Sequence, residues 1–156
     1  EEHLNSFDSN YKVKPPLRSK ADQKALINGL KDGTIDAISS QHRPHEIEFK
    51  DVEFEIAAYG IIALQTVLPI LIKAGLDAAS IAEKLAINPR KILNLPIPAI
   101  KVGENANFTI YNATQEWEYN SSTNLSKSAN SPLLGKTLKG KVSLVYNNNQ
   151  YYKNEQ

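Results

Sequence analysis

Two short polar clusters carry the side chains best suited to chemistry. One is Gln41-His42-Arg43-Pro44-His45, which follows the apolar run Ile35 to Ser40; the other is Lys14-Pro15-Pro16-Leu17-Arg18, which follows Tyr11 to Lys14. Imidazoles can hold an anion, relay a proton or ligate a metal, and a guanidinium forks onto carboxylates and phosphates. A local zinc pair made of His42 and His45 is disfavoured, because Pro44 prevents the regular helix that would align the two rings. His42 and Arg43 read first as structural or solvated groups. Arg18 could reach a phosphate or carboxylate, although a capping or salt-bridge role is the more economical reading. Ala58-Tyr59-Gly60 opens a long apolar run, and a glycine there lets backbone N–H groups approach an anion or amide closely.

Those clusters need elements to place them. Tyr11 to Lys14 is a brief strand candidate, stopped by Pro15-Pro16, which cannot supply ladder donors. Ser19 then caps a helix with Leu26, Ile27 and Leu30 on its apolar side, ending near Gly29 and Gly33. Ile35 to Ser40 is apolar enough for a strand buried on both faces, as in a parallel sheet. Three helical pieces are expected at Ile61 to Lys73, Asp77 to Leu85 and Pro89 to Leu93, the last opened by an Asn88 cap and an N1 proline. Beyond Leu95, Pro96 and Pro98 break the helix. Short strands are expected at Asn107 to Tyr111, Gln115 to Tyr119, Gly140 to Tyr146 and Gln150 to Tyr152, with Asn147-Asn148-Asn149 as the final hairpin turn. Lys136, Lys139 and Lys141 read as a solvated face or edge protection. Two parallel strands cannot close a barrel and would leave unpaired edges. The simplest expectation is an α/β fold made of the last units of a (β/α) barrel, with the earlier units outside this chain. In such barrels reactive residues sit just past the C-terminal ends of strands, where both polar clusters fall.

Composition narrows the function classes. A chain of 156 residues with 41% hydrophobic and 22% charged side chains suits a globular domain and argues against disorder. A net charge of +1 gives no electrostatic footprint for nucleic acid or an anionic membrane, and 8% aromatics weakens a base-stacking reading. The absence of cysteine removes disulfides, thiolate nucleophiles and thiolate metal sites, and fits a reducing cytoplasm. The start at Glu1-Glu2-His3, without a methionine or a signal region, reads as a trimmed segment. Ile56 to Ile72 carries no charge and nears the length of the shortest spanning helices, but Gly60, Gln65, Thr66 and Pro69 interrupt it, so a buried helix is expected. Four Asn-x-Ser/Thr patterns, at Asn107, Asn112, Asn120 and Asn124, are expected by chance in an Asn-rich chain.

The clusters and their neighbours resemble the dihydroorotases of the cyclic amidohydrolase superfamily. Tyr11-Lys12-Val13-Lys14-Pro15-Pro16-Leu17-Arg18 is similar to the family's KVNPPLR, and Asp32-Gly33-Thr34-Ile35-Asp36 precedes a counterpart of its TDHAPH. Ala58-Tyr59-Gly60-Ile61-Ile62 resembles PFGIIGLE, and Ile87-Asn88-Pro89-Arg90-Lys91-Ile92-Leu93 resembles NPARILGL. Leu125 to Ser128 and Gly135 to Val142 are close to the family's C-terminal pattern, so the resemblance covers essentially the whole chain. It implies that residues 1–95 form the C-terminal part of a TIM-type (β/α)8 barrel. Residues 96–156 would then form a small β domain, a β-sandwich segment of the amidohydrolase fold.

Active members of that family open or close the dihydroorotate ring at a zinc centre in pyrimidine biosynthesis. By resemblance, Lys14 stands at a substrate-binding asparagine, His45 is the retained histidine for the substrate carboxylate, and Tyr59-Gly60 is the pair that contacts the ring. Gln41 stands where the family has an aspartate that binds zinc and moves the proton. A neutral amide has no proton to cycle and is a poor ligand beside a carboxylate, and losing a general base alone costs about a hundred- to ten-thousand-fold in rate. The remaining family ligands would lie upstream of Glu1, and His3 is not one of them. No metal or cofactor is therefore expected in this chain, whereas active relatives carry zinc. Two readings follow: a non-catalytic dihydroorotase-like protein with a structural or assembly role, or an active zinc-dependent cyclic amidohydrolase that in its full-length form hydrolyses dihydroorotate or a related cyclic amide. A working site with Gln41 would need another carboxylate, such as Glu46 or Glu48, to step in. Gln65, at a usual glutamate, is a weaker departure that packing alone could explain. His45 could hold an anion or be an ordinary half-exposed loop histidine. Expected partners are the missing N-terminal barrel portion and, further off, a second copy or aspartate transcarbamoylase; no nucleic acid and no membrane partner is expected.

Overall fold

The computed structural model describes residues 1–154 as two compact units interleaved along the chain. The first comprises Glu1–Ile35, Ser39–Val67 and Glu118–Lys136, and the second Asp36–Ile38, Leu68–Trp117 and Thr137–Gln156, whose last two positions, also the end of the expected 96–156 domain, lie outside the described residues. With helices in both units and a three-stranded sheet, the chain is of mixed α/β type.

In the first unit, helix α1 runs over Lys20–Asp32 between the signals its sequence carries. Ser19 Oγ accepts the Asp22 N–H at 3.1 Å, and Gly33 ends the helix at φ 85°, a left-handed conformation that glycine adopts without a Cβ penalty. The chain then folds back so that the Ile35 N–H donates to the Gly29 carbonyl at 2.8 Å. Arg18 pairs with Asp22 at 3.5 Å, the economical role for an exposed arginine at a helix start. His3 stacks on Tyr11 with ring centroids 4.7 Å apart.

The two expected barrel strands do not form ladders. Ser9–Tyr11 is a 3-10 turn, and neither 12–14 nor 35–40 is a strand. A strand exists through its pairing, and an apolar run alone cannot create a neighbour. What remains among the described residues is an isolated parallel bridge, His42↔Ile61, and a hydrogen bond from the Gly60 N–H to the Lys12 carbonyl at 2.9 Å. The helix expected from Ile61 begins only at Val67, because 61–63 is extended: the Arg43 N–H donates to the Ile61 carbonyl at 2.8 Å and the Ile62 N–H to the Asn130 carbonyl at 3.1 Å. The apolar run is accordingly buried only in part. Ala57, Ile62 and Ala63 join Tyr119 in the first unit's core, while Ile56 and Leu64 stay 69% and 63% exposed.

The second unit holds helix α2, whose residues past its first, Val67, belong here (Val67–Lys73), α3 (Ala78–Ala82) and α4 (Asn88–Ile92), with Leu71, Leu76 and Ile81 buried. Asp77 caps α3 through the Ser80 N–H at 2.7 Å. Asn88 is not the cap its sequence suggests. A π-turn over Glu83–Ile87 joins α3 to α4, and the Asn88 N–H donates to the Glu83 carbonyl, five residues back. Pro89 has no N–H for the Leu85 carbonyl, so the ladder is widened one position ahead of it. Freed from capping, the Asn88 carboxamide donates to the Asp36 carbonyl at 2.9 Å.

The sheet has the order β1 (Asn107–Tyr119), β2 (Lys136–Asn147), β3 (Gln150–Lys153). The expected gap in β1 is closed: the Asn112 side-chain carbonyl accepts the Thr114 and Gln115 N–H groups inside the strand. Asn147 pairs with Gln150 across a two-residue turn in which Asn148 and Asn149 have φ 48° and 61°, the left-handed pair that a tight hairpin requires. No helix among the described residues is long and apolar enough to cross a membrane.

Candidate functional site

The two polar clusters meet in the first unit. Lys14, Gln41, His42 and Arg43 line a cleft of ≈ 530 Å³. An adjoining hollow of ≈ 310 Å³ shares Lys14, Gln41 and Arg43 and adds Gly60 among its walls. Gln41 sits at φ 47° and is exposed, as are Lys14 and Arg43. Among the described residues, no lining residue of either hollow is acidic.

His42 is fixed from behind. Its Nδ1 accepts the Ala63 N–H at 3.0 Å and the Leu64 N–H at 3.3 Å. A nitrogen that accepts carries no proton, so the ring proton resides on Nε2. Gly60 is dictated by space and by backbone: φ is 121°, and a Cβ there would stand 2.5 Å from the Arg43 Cβ. The arginine stem therefore lies against the glycine that the sequence singled out.

His45 and Tyr59 are placed differently. His45 lines a separate cleft of ≈ 840 Å³, together with Asp8, Glu46, Glu48 and Lys50. Its Nε2 donates to the Tyr59 carbonyl at 3.0 Å and its N–H to Asn130 Oδ1 at 3.1 Å. The Tyr59 ring lies 4.7 Å from Lys12 Nζ, a cation–π distance. Of the five predicted positions, Lys14, Gln41 and Gly60 thus share a wall, whereas His45 faces elsewhere. Glu46 and Glu48, the carboxylates nearest Gln41 in the following sequence, line the His45 cleft instead.

Three further residues organise this region: Lys50 and Asn130 carried no sequence signal, and Gln65 carried only the departure that packing could explain. Lys50 is 6% exposed, and its ammonium donates to the carbonyls of Ser9 at 2.6 Å, Ala58 at 2.9 Å and Gly60 at 3.2 Å. Burial holds its pKa below the usual lysine value, against the opposing pull of Asp8. Asn130, also buried, donates to the carbonyls of Arg43 at 2.9 Å and Gly60 at 3.3 Å while accepting from His45. Gln65 donates to the Thr123 carbonyl at 2.6 Å and accepts the Leu125 N–H at 2.9 Å, a pairing that a glutamate carboxylate could only half satisfy. A buried lysine and an exposed one look alike in sequence, and Asn130 sits in a stretch of small polar residues that reads as loop.

The side chains do not fit a zinc ion. Gln41 offers a neutral amide, the Nδ1 of His42 is occupied by amide donors, and no group of three His, Cys, Asp or Glu among the described residues could hold a metal.

No family model matches the chain. Sequence relatives are nevertheless clear. The chain is 42% identical to a dihydroorotase of Caldicellulosiruptor saccharolyticus over 99% of its own length and 37% of that protein's. It is 44% identical to a dihydroorotase of Aquifex aeolicus, over 90% of the chain and 34% of the relative. The chain therefore spans about a third of the length of the curated relatives it matches, corresponding to their C-terminal part. Among solved structures, the L-hydantoinase (dihydropyrimidinase) of Arthrobacter aurescens superposes with a TM-score of 0.79 at 25% identity, covering 93% of this chain and 34% of that one. The inactive dihydroorotase-like domain of the Chaetomium thermophilum CAD-like multifunctional protein superposes at 0.60 and 20% identity, over 93% and 41%. The chain is homologous to the C-terminal part of the dihydroorotases and shares its fold with fragments of hydantoinases.

Proposed function

We propose that this homologue of the dihydroorotase C-terminal part comes from a protein of de novo pyrimidine biosynthesis that has lost catalysis and serves as a structural or assembly partner. The observation that carries the proposal is Gln41: it lines a cleft with Lys14, His42 and Arg43, where no described carboxylate can take over proton transfer or metal binding. Glu46 and Glu48 belong to another cleft, and reaching Gln41 would require the 41–48 loop to be rebuilt. His45, the retained substrate position, spends its Nε2 on the Tyr59 carbonyl. A dihydroorotase-like domain described as inactive shares the fold, so this architecture tolerates the loss of chemistry.

In this proposal, residues 1–95 are the last part of a (β/α)8 barrel and residues 96–156 a small β domain. An N-terminal barrel portion supplies the partners that segments 11–14 and 35–40 lack here, and a second copy or aspartate transcarbamoylase is the assembly partner. Zinc is absent from the working protein, and the place of action is the cytoplasm. The competing reading is an active zinc-dependent cyclic amidohydrolase, favoured by 42% identity to a protein named dihydroorotase. A steady-state assay of the protein at the full length of its relatives, with zinc and dihydroorotate, separates the two. No turnover above background is expected, and zinc-dependent turnover would establish the competing reading.

A further inference from the structure

The buried ammonium of Lys50 is held the way a bare cation is held. Among the described residues, no carboxylate stands within ion-pair distance of it. Its partners are the backbone carbonyls of Ser9, Ala58 and Gly60, at 2.6, 2.9 and 3.2 Å, one acceptor for each ammonium proton. A charge taken out of water needs compensation, and here converging carbonyl dipoles supply it. Lys50 also lines the ≈ 840 Å³ cleft, so the cage can be approached from solvent along the lysine stem. Asp8, Glu46, Glu48 and Asp51 line that cleft against Lys127, and the buried Asn10 Oδ1 on its wall has no hydrogen-bond partner among the described residues. Without the Lys50 side chain, the cleft keeps an excess of acceptors and negative charge, which draws cations in.

We propose that Lys50 is a tethered cation in a carbonyl cage specific for primary ammonium ions, and that a free alkylammonium ion takes its place when the side chain is shortened. Lys50→Ala removes three methylene groups and the ammonium, and n-propylammonium restores them atom for atom. The cage requires N–H donors aimed at its carbonyls, which methylammonium has and tetramethylammonium lacks. The cage also fixes the backbone around Gly60. The Gly60 carbonyl is shared with Asn130 Nδ2 at 3.3 Å, and the Gly60 N–H donates to the Lys12 carbonyl at 2.9 Å. Lys50 is thus a positioning residue for that backbone, whether or not the protein is catalytic.

The test is an NMR titration of the Lys50→Ala chain with n-propylammonium, methylammonium and tetramethylammonium chlorides, at constant ionic strength so that general screening is fixed. The amides that follow the three carbonyls, those of Asn10, Tyr59 and Ile61, report on the cage. With n-propylammonium they should move saturably toward their wild-type positions, with a dissociation constant of about 10 mM or tighter, and methylammonium should act more weakly. Tetramethylammonium should leave them in place. If Lys50→Ala is unfolded in plain buffer, n-propylammonium should restore its dispersed spectrum, because a ligand that binds only the folded state raises stability by mass action. Lys50→Met fills the stem channel without donors and should respond to none of the three ions. In the wild type, which needs no variant, the Lys50 ammonium should give a slowly exchanging resonance coupled across its hydrogen bonds to the Ser9, Ala58 and Gly60 carbonyl carbons. No response to either primary ammonium ion would overturn the proposal. So would an equal response to tetramethylammonium or in Lys50→Met, or a wild-type ammonium that exchanges as fast as that of an exposed lysine. Turnover of dihydroorotate would sink the non-catalytic reading and leave these results to stand by themselves.

Discussion

Lys50 uses each of its three ammonium protons on a backbone carbonyl, tying Ser9, Ala58 and Gly60 together behind the candidate cleft. The Ser9 hydroxyl completes the tie by donating to the Lys50 carbonyl. Replacing Lys50 with Met removes the donors and strands buried acceptors, so a loss of at least about 2 kcal/mol is expected in denaturant unfolding. The pH dependence has a definite sign. Because burial lowers the folded pKa below the unfolded value of 10.5, the unfolded chain binds more protons between those two values, and Lys50's contribution rises with pH there. Wild type should thus gain stability relative to Lys50→Met as pH climbs from neutrality toward 10.5. A relative loss across that window would mean that the carbonyl cage outweighs desolvation.

Element boundaries in this chain follow backbone donors and acceptors more closely than hydrophobic pattern. Pro89 turns a predicted helix start into the far side of a π-turn, and β1 runs unbroken from Asn107 to Tyr119 where two strands were expected. The β2–β3 hairpin rests on Asn148 and Asn149, both left-handed. Asn148→Val places a β-branched residue at φ 48°, which should cost about 1–2 kcal/mol locally. Hydrogen exchange at the Tyr151 and Tyr152 amides reads that loss directly: protection should fall in the variant, and unchanged protection would show that the turn does not hold the hairpin. The Asn-x-Ser/Thr patterns find a structural use here as well. Asn120 accepts the Ser122 and Thr123 N–H groups, and Asn124 accepts the Ser126 N–H, as turn-forming asparagines do.

At the scale of the molecule, each unit leaves apolar side chains uncovered. In the first they include Phe7, Ile47, Ile56 and Leu64, and in the second Ile92, Ile100 and Val102. Surface of this kind marks an interaction face or an association liability. The chain alone should self-associate or bind the N-terminal portion of its parent protein. Analytical ultracentrifugation is expected to show species larger than a monomer, or a complex once that portion is added. A clean monomer with a single cooperative unfolding transition would count against the barrel-fragment proposal.

Family, helix α1 with both of its caps, and the final Asn turn were all legible in the residues, because each depends on local chemistry or on motifs in linear order. Ser19, Gly33 and Asn148-Asn149 fix φ and hydrogen bonds within a few positions of themselves. Motif order alone is what matches Gln41 and Lys14 to the aspartate and asparagine of the resembled motifs. It could not decide the strands at 11–14 and 35–40, since a ladder needs a partner that no local pattern supplies. Nor could it show that Lys14 and Gln41 share a cleft with Arg43 while His45 turns to the Tyr59 carbonyl. Those relations depend on Lys50 and Asn130, whose hydrogen bonds join segments as much as 87 residues apart. Only the tertiary structure brings such acceptors within reach of a donor, and only burial makes satisfying them obligatory.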